Sequence, residues 1–350
     1  MSSQPSVAIL ILNYNGRHHL EAFLPSVLAA TYANKTVWVV DNKSTDDSCN
    51  WLRQHYPEVH LLEVPSNRGF VGGYNFGFEH MHADYVLLLN NDVLVMPDFI
   101  DPVIRIMEAD PGLAAVQSRL RNVQNPQEFD YAGAAGGYID ALGYPFCRGR
   151  LLETVEQDEG QYNDDHHRLF WATGGCMFIR SSLYKQFNGM YSYLFIQNED
   201  IDLSWRLQVN GYRIGYCADS IVYHVGGGCI SWETPQKIFL TFRNNLVVIT
   251  RNMPVSRLLW LIPLRLALDS AAAVRYLVLR QPGHGWAIWR AIGAYLHWLF
   301  FISRHSVNGE HKWPGKRGLL QCDGVYRGSI VWQYFVRGKR KFTDLYPKSK

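Results

Sequence analysis

Several short runs of this sequence carry acids and amides where chemistry could use them. Leu87-Leu88-Leu89-Asn90-Asn91-Asp92 is an apolar run that ends in a carboxylate. A strand ending this way holds its acid rigidly at a sheet edge, where a hard divalent cation could bridge it to a diphosphate. Val39-Val40-Asp41 repeats the arrangement, and a carboxylate just past a strand accepts a hydrogen bond from a base or a ribose. Taken singly, each is equally an ordinary turn or cap aspartate. Gly69, Gly72, Gly73 and Gly77 surround a helix start and would let backbone approach a phosphate or sugar. Their order matches neither a dinucleotide fingerprint nor a Walker A loop. Gln197-Asn198-Glu199-Asp200-Ile201-Asp202 crowds polar groups that are costly to bury unless used. In a cleft, Glu199 and Asp200 would repel, and one pKa would rise toward a general base's range. On a surface the same run is an acid-rich helix start favoured by the macrodipole. His224 ends the run Ile221-Val222-Tyr223, a place that suits a structural histidine as well as a ligand.

The elements that must position these groups alternate. Val7–Leu12, Val37–Val40, Val59–Val64 and Tyr85–Leu89 read as short buried strands. Helical stretches at His19–Ala30, Ser48–Tyr56 and Phe70–His82 separate them. That pattern implies a parallel sheet covered on both faces, whose ligands sit beyond the carboxyl ends of the strands. The polar clusters Asn13–Asn15, Asp41–Ser44, Asn67–Gly69 and Asn90–Asp92 fall at those ends.

The composition is ordinary for a globular chain of 350 residues, 47% hydrophobic and 19% charged, which excludes disordered and fibrous classes. Charge is unevenly spread. Residues 1–250 carry 17 Lys/Arg against 27 Asp/Glu, and residues 251–350 carry 17 against 4. Such asymmetry suggests that one end meets something anionic. The six cysteines form no CxxC pair, which argues against a zinc ribbon and for a reducing compartment. The N-terminus has no basic region before its short apolar run, so it reads as a strand rather than a signal peptide. No run approaches about 18 uninterrupted apolar residues, so no spanning helix is expected.

In order, ILNYNG (11–16), VVDNKSTDDS (39–48), NRGFVGGYNFG (67–77), LLLNNDVLV (87–95), ATGGCMFIRSSLY (172–184) and NEDIDLSWRLQVNGYRIGY (198–216) resemble the family 2 glycosyltransferases, particularly the bacterial rhamnosyltransferase-like branch. The resemblance covers residues 6–250 or so. It implies an α/β GT-A fold, a Rossmann-like mixed sheet flanked by helices. It also implies that Asn13, Asn15 and Asp41 hold the nucleotide of a sugar donor, with Asp41 on the base, and that Asn67, Gly69 and Asn75 line the same side. Asn90-Asn91-Asp92 takes the DxD position, its last aspartate holding Mg²⁺ or Mn²⁺ on the diphosphate, with His224 completing the metal site. Gly174 and Gly175 would lie beside the donor sugar and acceptor. Asp200, with Glu199 beside it, matches the pair whose aspartate deprotonates the acceptor hydroxyl. Asn90 departs from the pattern, and a neutral oxygen there reduces the charge holding the metal. The expected reaction is inverting transfer from a dTDP- or UDP-sugar to a lipid-linked or polysaccharide acceptor of the bacterial cell surface. Rhamnose is one candidate sugar and a hexose the other. A sugar-nucleotide nucleotidyltransferase and a non-catalytic carbohydrate-binding subunit are the competing readings.

Beyond a boundary near Arg251–Pro254, residues 251–350 read as a basic amphipathic helical extension of the catalytic domain 1–250. At about 100° per residue, Arg257, Arg265, Asp269, Arg275 and Arg280 fall in one arc, and the rest of 257–280 is mostly apolar. Trp286–Arg304 has a similar pattern. Such helices suit a membrane interface, with Arg at the headgroups, and the basic tail to Lys350 adds attraction. The other reading is an ordinary layer packed on the catalytic domain. No nucleic-acid motif is present. The resulting expectation is a cytoplasmic protein, peripheral on the inner face of the plasma membrane.

Overall fold

The computed structural model describes residues 4–163, 168–226, 234–303 and 318–346. The tail lysines 312, 316, 348 and 350, with Arg304 and Arg317, lie outside the described residues.

The expected alternation is present. Strands β1 (Val7–Asn13), β2 (Lys35–Asp41), β3 (His60–Glu63) and β4 (Tyr85–Asn90) alternate with helices α1 (Arg17–Leu28), α2 (Ser48–His55) and α3 (Gly69–Glu79). After them come β5 (Val93–Val95), α4 (Ile100–Ala109) and β6 (Leu113–Asn122). Four short strands follow: β7 (Gly137–Asp140), β8 (Pro145–Cys147), β9 (Arg150–Leu151) and β10 (Thr154–Val155). The chain continues through β11 (Cys176–Arg180), α5 (Ser181–Gln186), α6 (Glu199–Val209) and β12 (Arg213–His224). Helices α7 (Pro235–Asn252), α8 (Val255–Val278) and α9 (Pro282–His297) precede β13 (Val325–Tyr326), α10 (Ile330–Phe335) and α11 (Phe342–Leu345).

The main sheet has the order β3-β2-β1-β4-β11-β6-β12-β5. Strands β1 and β4 are buried almost throughout because helices cover both faces, which is why they read as continuous apolar runs. One core lies under α1 and α4, with Leu20, Leu24, Val103 and Met107. The other lies under α3, α5 and α6, with Val71, Tyr74, Leu203 and Trp205.

Strand direction decides where the polar groups meet. β1, β2 and β4 are parallel, with Asn13 opposite Asp41 and Leu12 opposite Asn90. β11 is antiparallel to β4 and β6, so it begins at the edge where those strands end. β12 is parallel to β6 and brings His224 to that same edge, opposite Asn122. One sheet edge therefore collects Asn13, Asp41, Asn90, His224 and the Gly174-Gly175 turn before β11.

The second sheet, β10-β9-β8-β7-β13, draws its last strand from the far end of the chain. The boundary near Arg251–Pro254 falls at the break between α7 and α8, but the last hundred residues are interleaved with the first 250: β13 pairs with β7, and α8 lies over the 141–144 turn.

Candidate active site

A web of amides surrounds the ends of β1 and β2. Asp41 is buried and accepts from Asn13 Nδ2 at 3.1 Å and from the Ser44 backbone N–H at 2.8 Å. Asn91 Nδ2 donates to Asn13 Oδ1 at 2.9 Å, which ties the end of β4 to the end of β1. Asn15, in a left-handed conformation with φ 49°, accepts from the Thr45 backbone N–H at 2.7 Å. Asn42 was not singled out from sequence, yet it fastens the next loop. Its Nδ2 donates to Asn67 Oδ1 at 3.0 Å and to the Gly69 carbonyl at 2.9 Å, and its Oδ1 accepts from the Arg68 N–H. Gly69 has φ +69°, and a Cβ there would sit 2.4 Å from the Phe195 ring, so only glycine fits. Asn75 is placed apart from these groups. Its amide is spent on Met190 O at 2.8 Å and Tyr184 OH at 2.6 Å, fixing α3 to the 190 loop.

At the centre of the edge, Asp92 and His224 are both buried. His224 Nε2 lies 3.1 Å from Asp92 Oδ1 and 3.3 Å from Asn90 Nδ2. Its Nδ1 lies 2.7 Å from Asp130 Oδ1. Asp130 comes from the loop after β6 and sits 94 residues from its partner in sequence, so no local pattern marks it. Burial alone would push His224 down, but Asp130 and then Asp92 outweigh it and raise the imidazole to about 10. For Asp92, burial opposes ionisation and His224 overcomes it, leaving the carboxyl below its usual value.

This set fits a divalent cation. Asp130 accepts from Nδ1–H and fixes the ring, so that Nε2, once a cation displaces its proton, would be the ligating nitrogen toward Asp92 and Asn90. An amide flip would present Asn90 Oδ1 to the same point. Among the described residues no three His, Cys, Asp or Glu side chains form a metal cluster; the third protein donor here is an amide. Asp130→Asn should lower Mn²⁺ affinity by about 10- to 100-fold. A Mn²⁺ titration of folded variant and wild type checks this, and equal affinities would remove Asp130 from the role.

The Gly174-Gly175 turn joins this centre to the acids of α6. Gly175 O accepts from the Asn90 N–H at 3.1 Å, and the Gly174 N–H donates to Asp200 Oδ2 at 3.1 Å. A Cβ at Gly174 would stand 3.1 Å from the Phe70 ring. The acidic run of α6 divides in two. Asp202 is a structural ion-pair partner, 2.9 Å from Arg206 and 3.3 Å from Arg251, and they hold it ionised against burial. Among the described residues, Glu199 and Asp200 have no such cation. Glu199 is buried with Oε2 unpartnered; burial, then Asp200 beside it, pushes its carboxyl well above the usual range. Asp200 is partly buried; burial raises it to about 6 against the N–H groups of Gly174 and Ile201. Burial thus raises both carboxyls, Glu199, with Asp200 beside it, being pushed well above its usual range and Asp200 to about 6.

The loop that delivers these acids is unusual. Phe195, Gln197 and Asn198 all have φ between 63° and 79°, a costly conformation for such residues. Asn244 of α7 holds it, with Nδ2 within 2.8–2.9 Å of the carbonyls of Leu194, Ile196 and Gln197.

A parallel-to-mixed sheet with amides and acids gathered at one edge defines the GT-A class of nucleotide-sugar glycosyltransferases. Two solved structures share the fold. Against GalNAc-T7 with UDP, GalNAc and Mn²⁺ the TM-score is 0.57 at 14% identity, covering 72% of this chain and 48% of that one. Against a mannosyltransferase from Pyrobaculum calidifontis with GDP-Man and Mn²⁺ it is 0.52 at 16% identity, covering 84% and 88%. This chain thus spans about half the length of the first. The profile of "Glycosyl transferase family 2" matches residues 8–187. The chain belongs to that family and is a glycosyltransferase. It is also similar to the N-acetylglucosaminyl-diphospho-decaprenol L-rhamnosyltransferase of Mycobacterium tuberculosis, 26% identical over 230 residues, 62% of this chain and 75% of the relative.

Proposed function

We propose that this enzyme moves a sugar from a nucleoside-diphosphate donor to an acceptor hydroxyl in one displacement, with inversion at the anomeric carbon. The observation that carries the reading is the glycine turn. Through it Asp200 is fixed two hydrogen bonds from Asn90, so a base and a diphosphate-binding strand end face one space. Asn13, Asn15, Asp41 and Asn67 hold the nucleotide. Asp200 removes the acceptor proton as the acceptor oxygen bonds to the anomeric carbon and the bond to the diphosphate oxygen breaks. Burial and the neighbouring Asp200 push the Glu199 carboxyl well above its usual range, which disfavours a second negative charge beside Asp200. Asn90, Asp92 and His224 would hold a divalent cation, which stabilises charge on the leaving diphosphate.

The donor is a dTDP- or UDP-sugar, with L-rhamnose the first candidate. The acceptor is lipid-linked or a growing glycan of the bacterial envelope, met at the inner face of the plasma membrane. The similarity to a rhamnosyltransferase acting on a decaprenyl-linked sugar supports both assignments. A donor-hydrolysis screen over dTDP-, UDP- and GDP-sugars with Mn²⁺ tests this. Turnover of a dTDP- or UDP-sugar is expected. Binding without turnover of any donor would favour the carbohydrate-binding alternative.

A further inference from the structure

Helix α8 faces the wrong way for a helix in water. Its buried side carries Leu261, Arg265, Asp269 and Ala273. Leu259, Trp260, Val274 and Val278 point outward, Leu259 and Val278 about three-quarters exposed at 74% and 76%. Of the arc of charge read from sequence as a headgroup-facing stripe, Arg257, Arg265 and Asp269 turn inward, while Arg275 and Arg280 stay exposed. Arg257 donates to Ala141 O at 2.7 Å. Arg265 donates to Leu142 O at 3.0 Å and Asn245 Oδ1 at 2.7 Å, and lies 3.6 Å over the Tyr144 ring. Asp269 accepts from Tyr144 OH at 2.9 Å. These bonds lock the rotation of the helix, because turning it would strand a buried ion pair. The apolar side is therefore held outward over 24 residues. Beyond the turn at Leu279–Gln281, Trp286 and Trp289 of α9 are exposed as well, as are Phe300 and Phe301 after it.

We propose that this outward face of α8 and α9 is a docking surface for an anionic lipid bilayer. The inference rests on the membrane-acceptor reading above and gives it an orientation: apolar side chains, not the arginine arc, enter the membrane. An apolar face of this extent marks an interaction site. Charge selects the occupant. Between residues 251 and 303 Asp269 is the only acid, and it is buried. The exposed cations Arg280 and Arg290 therefore flank the face without an acidic counterpart in the segment. A second copy would bring these like charges together, whereas anionic headgroups above acyl chains match both features. Tryptophans suit the level between them. Among the described residues no helix is long and apolar enough to cross a membrane, so the helices lie along the surface.

Sedimentation of the full chain with phosphatidylglycerol or phosphatidylcholine vesicles tests this, alongside quenching of tryptophan fluorescence by brominated lipid. Wild type should bind phosphatidylglycerol vesicles and be quenched. The exposed-site variant Leu259→Glu/Val278→Glu/Trp286→Glu should lose about 100-fold or more in binding, while hydrolysing donor like wild type. If wild type binds and the variant binds equally, this surface is overturned and the membrane reading stands. If wild type stays in the supernatant with both lipids at low salt, both are overturned. A wild-type dimer that the variant dissolves would overturn the proposal in favour of self-association.

Discussion

Asp200→Asn is expected to lower sugar transfer by about 100- to 10,000-fold, the usual contribution of a positioned base. The amide keeps the size of the side chain, and its oxygen still accepts from the Gly174 N–H, so the turn survives. It has no basic lone pair of comparable strength for the acceptor proton. The variant should keep its fold: the amide loses the acceptor for the Ile201 N–H but escapes the cost of a buried charge. Burial makes the ionised form costly above about 6, and the neutral amide removes that cost. The same shift sets the wild-type profile. Transfer should fall as pH drops through about 6, where Asp200 takes up a proton, and that limb should be missing from the variant. Wild-type transfer rates in a folded Asp200→Asn would remove Asp200 from the role of base.

Asp92→Asn is expected to cost about 100- to 1,000-fold in transfer, the scale of losing one preorganised electrostatic partner at a leaving group. The strand end would then read Asn-Asn-Asn, with no charge facing the diphosphate from β4. Asp92 accepts toward His224 Nε2 at 3.1 Å, so the change also removes one of the two acids that hold the ring. The decisive measurement is calorimetric. Wild type should bind nucleotide diphosphate more tightly with Mn²⁺ than without, and the variant should show no difference. If the variant kept the full Mn²⁺ dependence, Asp92 would serve only to orient His224. The effect should exceed that of Asp130→Asn, because Asp130 touches only the far side of the ring.

The residues legible in the sequence were those whose chemistry and backbone position coincide. Asp41, Asn90, Asp92 and His224 end apolar runs, and strand direction alone brings such ends together. The strands and helices of the first hundred residues were legible for the same reason: burial on both faces writes continuous apolar runs with polar stops. What stayed hidden were relations between distant segments. Asp130 and Asn244 sit in unremarkable contexts, Asn42 lies in a telling motif beside the more obvious Asp41, and each matters through a partner in another part of the chain. Asn75 shows the converse, since a polar residue within a telling motif is spent on packing α3 against the 190 loop. Periodicity found the arc of Arg257, Arg265 and Asp269 but could not say which side was inward. Tyr144 and Asn245, more than a hundred residues apart in sequence, decide that.

The closing strand of the second sheet has a consequence for how the protein is made. The Ile330 backbone N–H donates to Asp140 Oδ2 across a separation of 190 residues, and β13 lies beside β7. Contacts of such long range carry a loop-closure cost that local pairings avoid. The amide web around Asn13, Asp41 and Asn91 closes over less than a hundred residues. During synthesis that web has all its partners long before β7 meets its own. The amide web at the ends of β1, β2 and β4 is thus closed while the second sheet still waits for an edge. Until β13 arrives, β7 is an unpaired edge beside the buried acid Asp140, the part of the nascent chain most in need of shielding.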